Sequence, residues 1–71
     1  MTNQELINEI LTAIDSQETA TPYTKLIDFA EWNSLASMVT IGIIQDNFNK
    51  SITSEQLRNC ETFNDIYKLC L

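Results

Sequence analysis

The serine at position 34 is the residue whose setting most clearly suggests chemistry. It stands in Asn33-Ser34-Leu35, after a long polar stretch and directly before an apolar segment that extends to Phe48. Asn and Ser are both favoured at helix N-caps, so the pattern predicts that a helix begins here. A helix N-terminus offers unpaired N–H groups and partial positive charge, which suit an anionic group. The alternative, that Ser34 only caps a helix, stays open at this point.

The chain has few of the residue types that other kinds of catalytic or metal site require. The chain contains no His, which excludes a Ser-His-Asp triad, and a Ser-Lys dyad would need one of three scattered lysines. Cys60 and Cys70 are the only cysteines, whereas a zinc site needs four soft ligands, so no metal site is expected. We interpret them as free thiols, with Cys70 in the core, and a disulfide is the alternative. The residues therefore indicate a protein that is not an enzyme.

Length and charge restrict the fold and the partners. Seventy-one residues allow a single domain, residues 1–71, and one Gly with one Pro argues against an all-β fold. The net charge of −6 disfavours nucleic acid and anionic membranes and favours basic protein surfaces. No apolar run approaches the ~20 residues of a membrane span, and the N-terminus lacks the basic start of a signal peptide. We expect a cytoplasmic monomer with no membrane insertion.

Hydrophobic periodicity and capping patterns predict four helices. The first covers about residues 3–15 and opens with a Thr2–Glu5 capping box, and the second extends from about Leu35 to Phe48. Residues 16–32 show no clean period and are predicted to form a long loop, with one helical turn in its second half. The third helix is short, about residues 54–59, and the last opens at Thr62. The expected fold is therefore all-α: a four-helix bundle with a long first loop and a short third helix.

The predicted core follows from these periods and from the short connections between helices. Its members are apolar residues that recur on one face of each helix, with a few from the loops: Ile7, Ile10, Leu11, Ile14, Phe29, Ile41, Ile44, Phe48, Ile52, Leu57, Phe63, Ile66 and Tyr67. The second helix is apolar on nearly every side, so its residues Met38 and Val39 either join the core or form a docking surface. Met38–Ile44 alone is also compatible with a buried strand, but no partner strands are available.

The segment Glu31-Trp32-Asn33-Ser34-Leu35-Ala36 resembles the attachment motif of acyl carrier proteins, which is usually Asp-Ser-Leu. The similarity continues downstream over nearly the whole chain. Ile41, Ile44 and Phe48 fall where that family's second helix places core residues. Thr62-Phe63-Asn64-Asp65-Ile66 is similar to the opening of its last helix. Two features depart from the family pattern: Asn33 replaces the usual Asp, and Asp46 is the only carboxylate within the second helix.

The resemblance implies that Ser34 carries a covalent 4'-phosphopantetheine arm, with Asn33 and Leu35 beside it. A phosphopantetheinyl transferase would attach the arm, and acyl-loading and acyl-processing enzymes with basic docking surfaces would use it. The expected function is acyl carriage in fatty-acid or related lipid or polyketide biosynthesis. An aminoacyl or peptidyl carrier, and an unmodified helical interaction module, remain alternatives. The expected partner contacts lie on both sides of Ser34: Asp28, Glu31, Met38, Val39 and Asp46.

Overall fold

Four α-helices and no strand make up the computed structural model, which describes residues 1–71. Helix α1 spans Asn3–Ala13, α2 spans Ser34–Phe48, α3 spans Ser54–Arg58 and α4 spans Phe63–Leu69. A single 3₁₀ turn, Leu26–Asp28, lies in the long first loop. Helix α1 packs against α2 and α4, and α2 packs against α3. The predicted all-α bundle with a short third helix is confirmed.

The helix ends follow from local capping chemistry. Thr2, Thr53 and Thr62 each form the N-cap of a capping box, because the threonine side chain accepts the N–H of the third helical residue. Helix α1 ends two residues earlier than predicted, since Asp15 adopts a left-handed conformation with φ of 56°. The N–H of Ser16 then donates to the Leu11 carbonyl at 2.9 Å, which closes a Schellman-type end.

The core is a single cluster to which every helix contributes. The prediction is confirmed for most members, but four predicted core residues are only half-buried at the edge of the cluster: Ile14, Ile41, Phe48 and Tyr67. Five residues that the predicted core omits are buried: Leu6, Ala20, Leu26, Ala36 and Thr40. Cys70 is buried as expected, and both cysteines are free thiols.

Helix α2 buries a narrower stripe than its composition suggests. The fully buried positions are Ala36, Thr40 and Ile44, spaced four residues apart on one side of the helix. The Thr40 hydroxyl satisfies its hydrogen-bonding capacity within the helix by donating to the Ala36 carbonyl at 2.7 Å. Small side chains here let α2 approach its neighbours closely, and larger apolar residues are left at the surface. No helix of the structure is both long and apolar enough to cross a membrane.

The long first loop is fastened to the start of α4 by backbone hydrogen bonds. The N–H of Leu26 donates to the Glu61 carbonyl at 2.8 Å, and the N–H of Asn64 donates to the Pro22 carbonyl at 2.8 Å. Between them, Lys25 and Thr62 form an isolated antiparallel bridge. These bonds place the buried side chains of Leu26 and Phe29 against the bundle, so the loop has a fixed path toward Ser34.

The melting temperature of the protein is expected to rise between low and moderate NaCl. Ten Asp and Glu side chains outnumber four cationic side chains, and no Lys or Arg nitrogen lies within 4.0 Å of an Asp or Glu carboxylate oxygen. Salt therefore screens repulsion without weakening any ion pair between side chains. A gain of about 0.5–1 kcal/mol would correspond to about 2–8 °C in a domain of this size.

Thermal melts by circular dichroism over a NaCl series measure this effect. The double variant Glu9→Gln, Glu18→Gln removes two exposed carboxylates that form no side-chain hydrogen bond, and it should melt higher at low salt and respond less to NaCl. A melting temperature that falls or stays constant with NaCl in the parent would contradict the role of repulsion.

Candidate functional site

Ser34 is the first residue of α2 and is exposed. The cap is Asn33, whose side-chain Oδ1 accepts the Ala36 N–H at 3.0 Å. The backbone N–H groups of Ser34 and Leu35 donate to no protein acceptor, as is usual in a first helical turn. The Ser34 hydroxyl also forms no hydrogen bond within the protein. The site therefore presents a free hydroxyl beside two outward-facing N–H groups.

A shallow groove of about 430 Å³ lies beside Ser34, between the start of α2 and helix α3. Its walls consist of four short polar side chains, two large apolar side chains and one arginine: Asn33, Ser34, Ser37, Ser54, Trp32, Met38 and Arg58. No carboxylate lines this groove, although the chain carries ten of them. Arg58 is its one charged residue. The surroundings of Ser34 are therefore less negative than the rest of the molecule.

Trp32 fixes the approach of the loop to the site. Its ring packs edge-on against Phe63, with ring centroids 5.8 Å apart and an interplanar angle of 77°. Phe29 makes a second edge-on contact with the same ring at 5.8 Å. Such aromatic pairs stabilise by about 0.5–1.5 kcal/mol beyond their buried area. Trp32 is therefore a packing residue, and this aromatic cluster holds Asn33 and Ser34 at a defined place.

The two carboxylates that precede Ser34 differ in their surroundings. Asp28 ends the 3₁₀ turn and is exposed. Glu31 is half-buried, and its Oε1 accepts a hydrogen bond from the Ser16 hydroxyl across the first loop. Glu31 therefore contributes to the shape of the loop, whereas Asp28 is free to meet a partner.

The outer face of α2 beyond Ser34 is apolar at its start and polar at its end. Leu35 and Met38 are 63% and 68% exposed, and Gly42 and Asp46 follow them along the same side of the helix. Val39 is half-buried, so it lies at the border between this face and the core. Of the predicted partner residues, Met38 and Asp46 lie on this face of α2 and Asp28 is exposed in the first loop, whereas Glu31 and Val39 are partly covered.

The two thiols differ in burial but are both poorly reactive. Desolvation raises the pKa of the Cys60 thiol, and the nearby charge of Asp65 raises it further. Desolvation likewise raises the pKa of Cys70, which is buried in the core. Both thiols therefore stay protonated near neutral pH, and neither is a nucleophile. No group of three or more His, Cys, Asp or Glu side chains is arranged to hold a metal ion.

The fold as a whole matches one solved structure over almost the full length of both chains. A solved structure from Mycobacterium tuberculosis, described as "a putative acyl carrier protein", superposes with a TM-score of 0.72. The sequences are 25% identical, and the match covers 94% of this chain and 92% of the other. The fold is acyl-carrier-like. No protein-family model and no curated protein matches the sequence. The likeness supports a non-catalytic carrier role and does not specify a cargo or a pathway.

Arg58 is the residue of this site that the sequence analysis does not select. It lies far from Ser34 in the sequence, in the last turn of α3, and only the packing of α3 on α2 brings the two residues to one groove. A capping box predicts α3, but the length of that helix and its path across α2 decide which residue faces Ser34. No local sequence signal carries that information.

Proposed function

We propose that this protein is an acyl carrier whose 4'-phosphopantetheine arm is attached to Ser34. The observation that carries the proposal is the exposed Ser34 hydroxyl, free of protein hydrogen bonds, at the first residue of α2 in an acyl-carrier-like fold. The motif resemblance and the structural likeness are separate kinds of support: the motif selects Ser34, and the likeness supports a carrier fold. The proposal extends to fatty-acid, lipid or polyketide biosynthesis as the setting and to the cytoplasm, where free thiols such as Cys60 persist.

The residues around Ser34 suit a phosphodiester. The N–H groups of Ser34 and Leu35 are unpaired and lie at the positive end of the helix dipole. The groove beside them contains no carboxylate that would repel a phosphate. Asn33 caps the helix without adding negative charge, and its side-chain N–H₂ has no protein partner. A phosphate ester on Ser34 would therefore meet hydrogen-bond donors and no carboxylate in this groove.

Attachment needs an external catalyst, since nothing beside Ser34 can act as a base. In the transfer, the Ser34 oxygen forms a bond to the pyrophosphate phosphorus that bears the pantetheine of coenzyme A. The bond between that phosphorus and the bridging oxygen breaks. The nucleotide part leaves, and the transferase takes the hydroxyl proton. The contribution of this chain is to hold an accessible hydroxyl in a fixed frame. The free arm would then carry acyl groups as thioesters.

The surface next to Ser34 suggests how partner enzymes dock. Leu35 and Met38 project from the same side of α2 as Ser34 and offer apolar contact, while Asp28 and Asp46 offer negative charge farther out. Apolar anchors with charges at the rim are the usual arrangement of protein interfaces. We therefore propose a partner surface with an apolar centre and basic residues around it.

Intact-mass measurement tests the attachment directly. Incubation with coenzyme A, magnesium and a broad-specificity phosphopantetheinyl transferase should add one phosphopantetheinyl group to the parent. Ser34→Ala should abolish the addition and lower stability by no more than about 1 kcal/mol, since Asn33 remains as the cap. Ser37→Ala is the matched control, because Ser37 lines the same groove and should leave the addition unchanged.

The outcomes separate the candidate functions. Modification that persists in Ser34→Ala and maps to Ser37 or Ser54 would overturn the assignment. No modification of the parent after long incubation would favour an unmodified interaction module. Modification at Ser34 followed by loading with amino acids in place of fatty acyl groups would favour an aminoacyl carrier.

A further inference from the structure

We propose that Arg58 is the counter-ion of the phosphodiester on Ser34 and thereby positions the start of the arm. The inference rests on the proposed attachment at Ser34. Arg58 and Ser34 line the same groove, and Arg58 is the only charged side chain there. The anion that this guanidinium fits is a phosphate ester, for which its planar set of donors is well suited.

The Arg58 guanidinium forms no salt bridge, although Glu61 and Lys25 line a neighbouring groove together with it. No carboxylate lies within 4.0 Å of it, and its side chain donates no hydrogen bond to the protein. A cation in the last turn of a helix interacts favourably with the helix dipole. In α3 this interaction is weak, because the helix has only five residues.

Arg58 also lies where the groove beside Ser34 meets a second groove of about 470 Å³. Trp32 and Arg58 line both grooves, so the two are adjacent. The second groove is apolar apart from Arg58 and is bounded by the first loop and α3, with Leu26, Leu57 and Cys60 in its walls. A guanidinium at this junction would hold the phosphate at one end and leave the apolar groove open to the rest of the arm.

The test compares modified and unmodified forms of matched variants. Arg58→Gln removes the charge, Arg58→Lys keeps it without the planar donors, and Lys68→Gln removes a charge from α4, which lines neither groove. For each variant the difference in melting temperature between modified and unmodified protein is measured at low salt. This difference cancels any effect of the substitution on the bundle itself.

Attachment adds a negative charge to an already acidic domain. We expect the change in melting temperature on attachment to be about 1–5 °C less favourable in Arg58→Gln than in the parent. Lys68→Gln should match the parent, and Arg58→Lys should fall between them. The difference between Arg58→Gln and the parent in this change of melting temperature should shrink near 1 M salt, where the screening length is about 3 Å. The proposal would be overturned if attachment changed the melting temperature equally in all variants. It would also be overturned if Lys68→Gln made this change as unfavourable as Arg58→Gln does.

A second measurement uses the parent protein alone. The side-chain Nε–H signal of Arg58 in a nitrogen-15 NMR spectrum should shift when Ser34 is modified, because a phosphate would accept its hydrogen bond. An unchanged signal in a protein of confirmed modified mass would overturn the role of Arg58 while leaving the carrier function intact. Failure of the parent to become modified would overturn both proposals.

Discussion

Replacing Ile44 by Ala is expected to lower the free energy of unfolding by about 2–5 kcal/mol, the usual cost of removing a large buried aliphatic side chain. Ile44 is fully buried in the stripe by which α2 contacts the rest of the bundle. A domain of this size has only about 3–5 kcal/mol to lose. Much of the variant should therefore be unfolded at 37 °C, as a urea titration followed by circular dichroism would measure.

The matched control for Ile44→Ala is Ile27→Ala. Ile27 has the same side chain but is 90% exposed, so its removal should change stability by less than about 0.5 kcal/mol. The comparison isolates burial from the chemistry of the substitution. If the two variants melted alike, α2 could not be packed through Ile44.

Replacing Asn33 by Asp is expected to accelerate arm attachment by about tenfold or more while changing stability by less than about 1 kcal/mol. The side-chain Oδ1 of Asn33 accepts the Ala36 N–H at 3.0 Å, and an Asp oxygen can accept the same bond. The fold should therefore hardly distinguish the two residues. The transferase should distinguish Asn from Asp at position 33, since a charge-assisted hydrogen bond is stronger than a neutral one by about 1 kcal/mol or more.

Side-by-side time courses of modification at low salt, with thermal melts of both proteins, measure this difference. Asp46→Asn is a useful companion, because it changes charge on the exposed face of α2 away from the cap. Equal rates for the parent and the Asn33→Asp variant would mean that the partner reads the amide as well as a carboxylate. A large loss of stability without a change in rate would show that position 33 acts on the fold.

The helices could be predicted from sequence because their signals are local. Thr2, Thr53 and Thr62 mark three helix starts through a side chain that bonds three residues ahead. The apolar period in α1 selects its buried face correctly. These features depend on neighbours within one or two turns, and that range is visible in a sequence.

The core face of α2 could not be predicted in the same way. Counting large apolar residues selects Ile41 and Phe48, whereas the structure buries Ala36 and Thr40. Close helix packing requires small side chains, and a buried threonine is acceptable when its hydroxyl bonds within the helix. Both conditions depend on the neighbouring helices. The same dependence explains why the sequence does not point to Arg58, whereas Ser34 stands in a local motif.

The fastening of the first loop to α4 has a consequence for the growing chain on the ribosome. Ser34 is synthesised before Glu61 and Phe63, which supply the loop's backbone acceptor and the ring on which Trp32 rests. A nascent chain that ends within α2 therefore lacks the contacts that set Ser34 in place. Pairing between segments distant in sequence forms late, after the intervening chain is available. An enzyme that recognises the folded surface around Ser34 would consequently act only after α4 has been synthesised and has packed against the first loop.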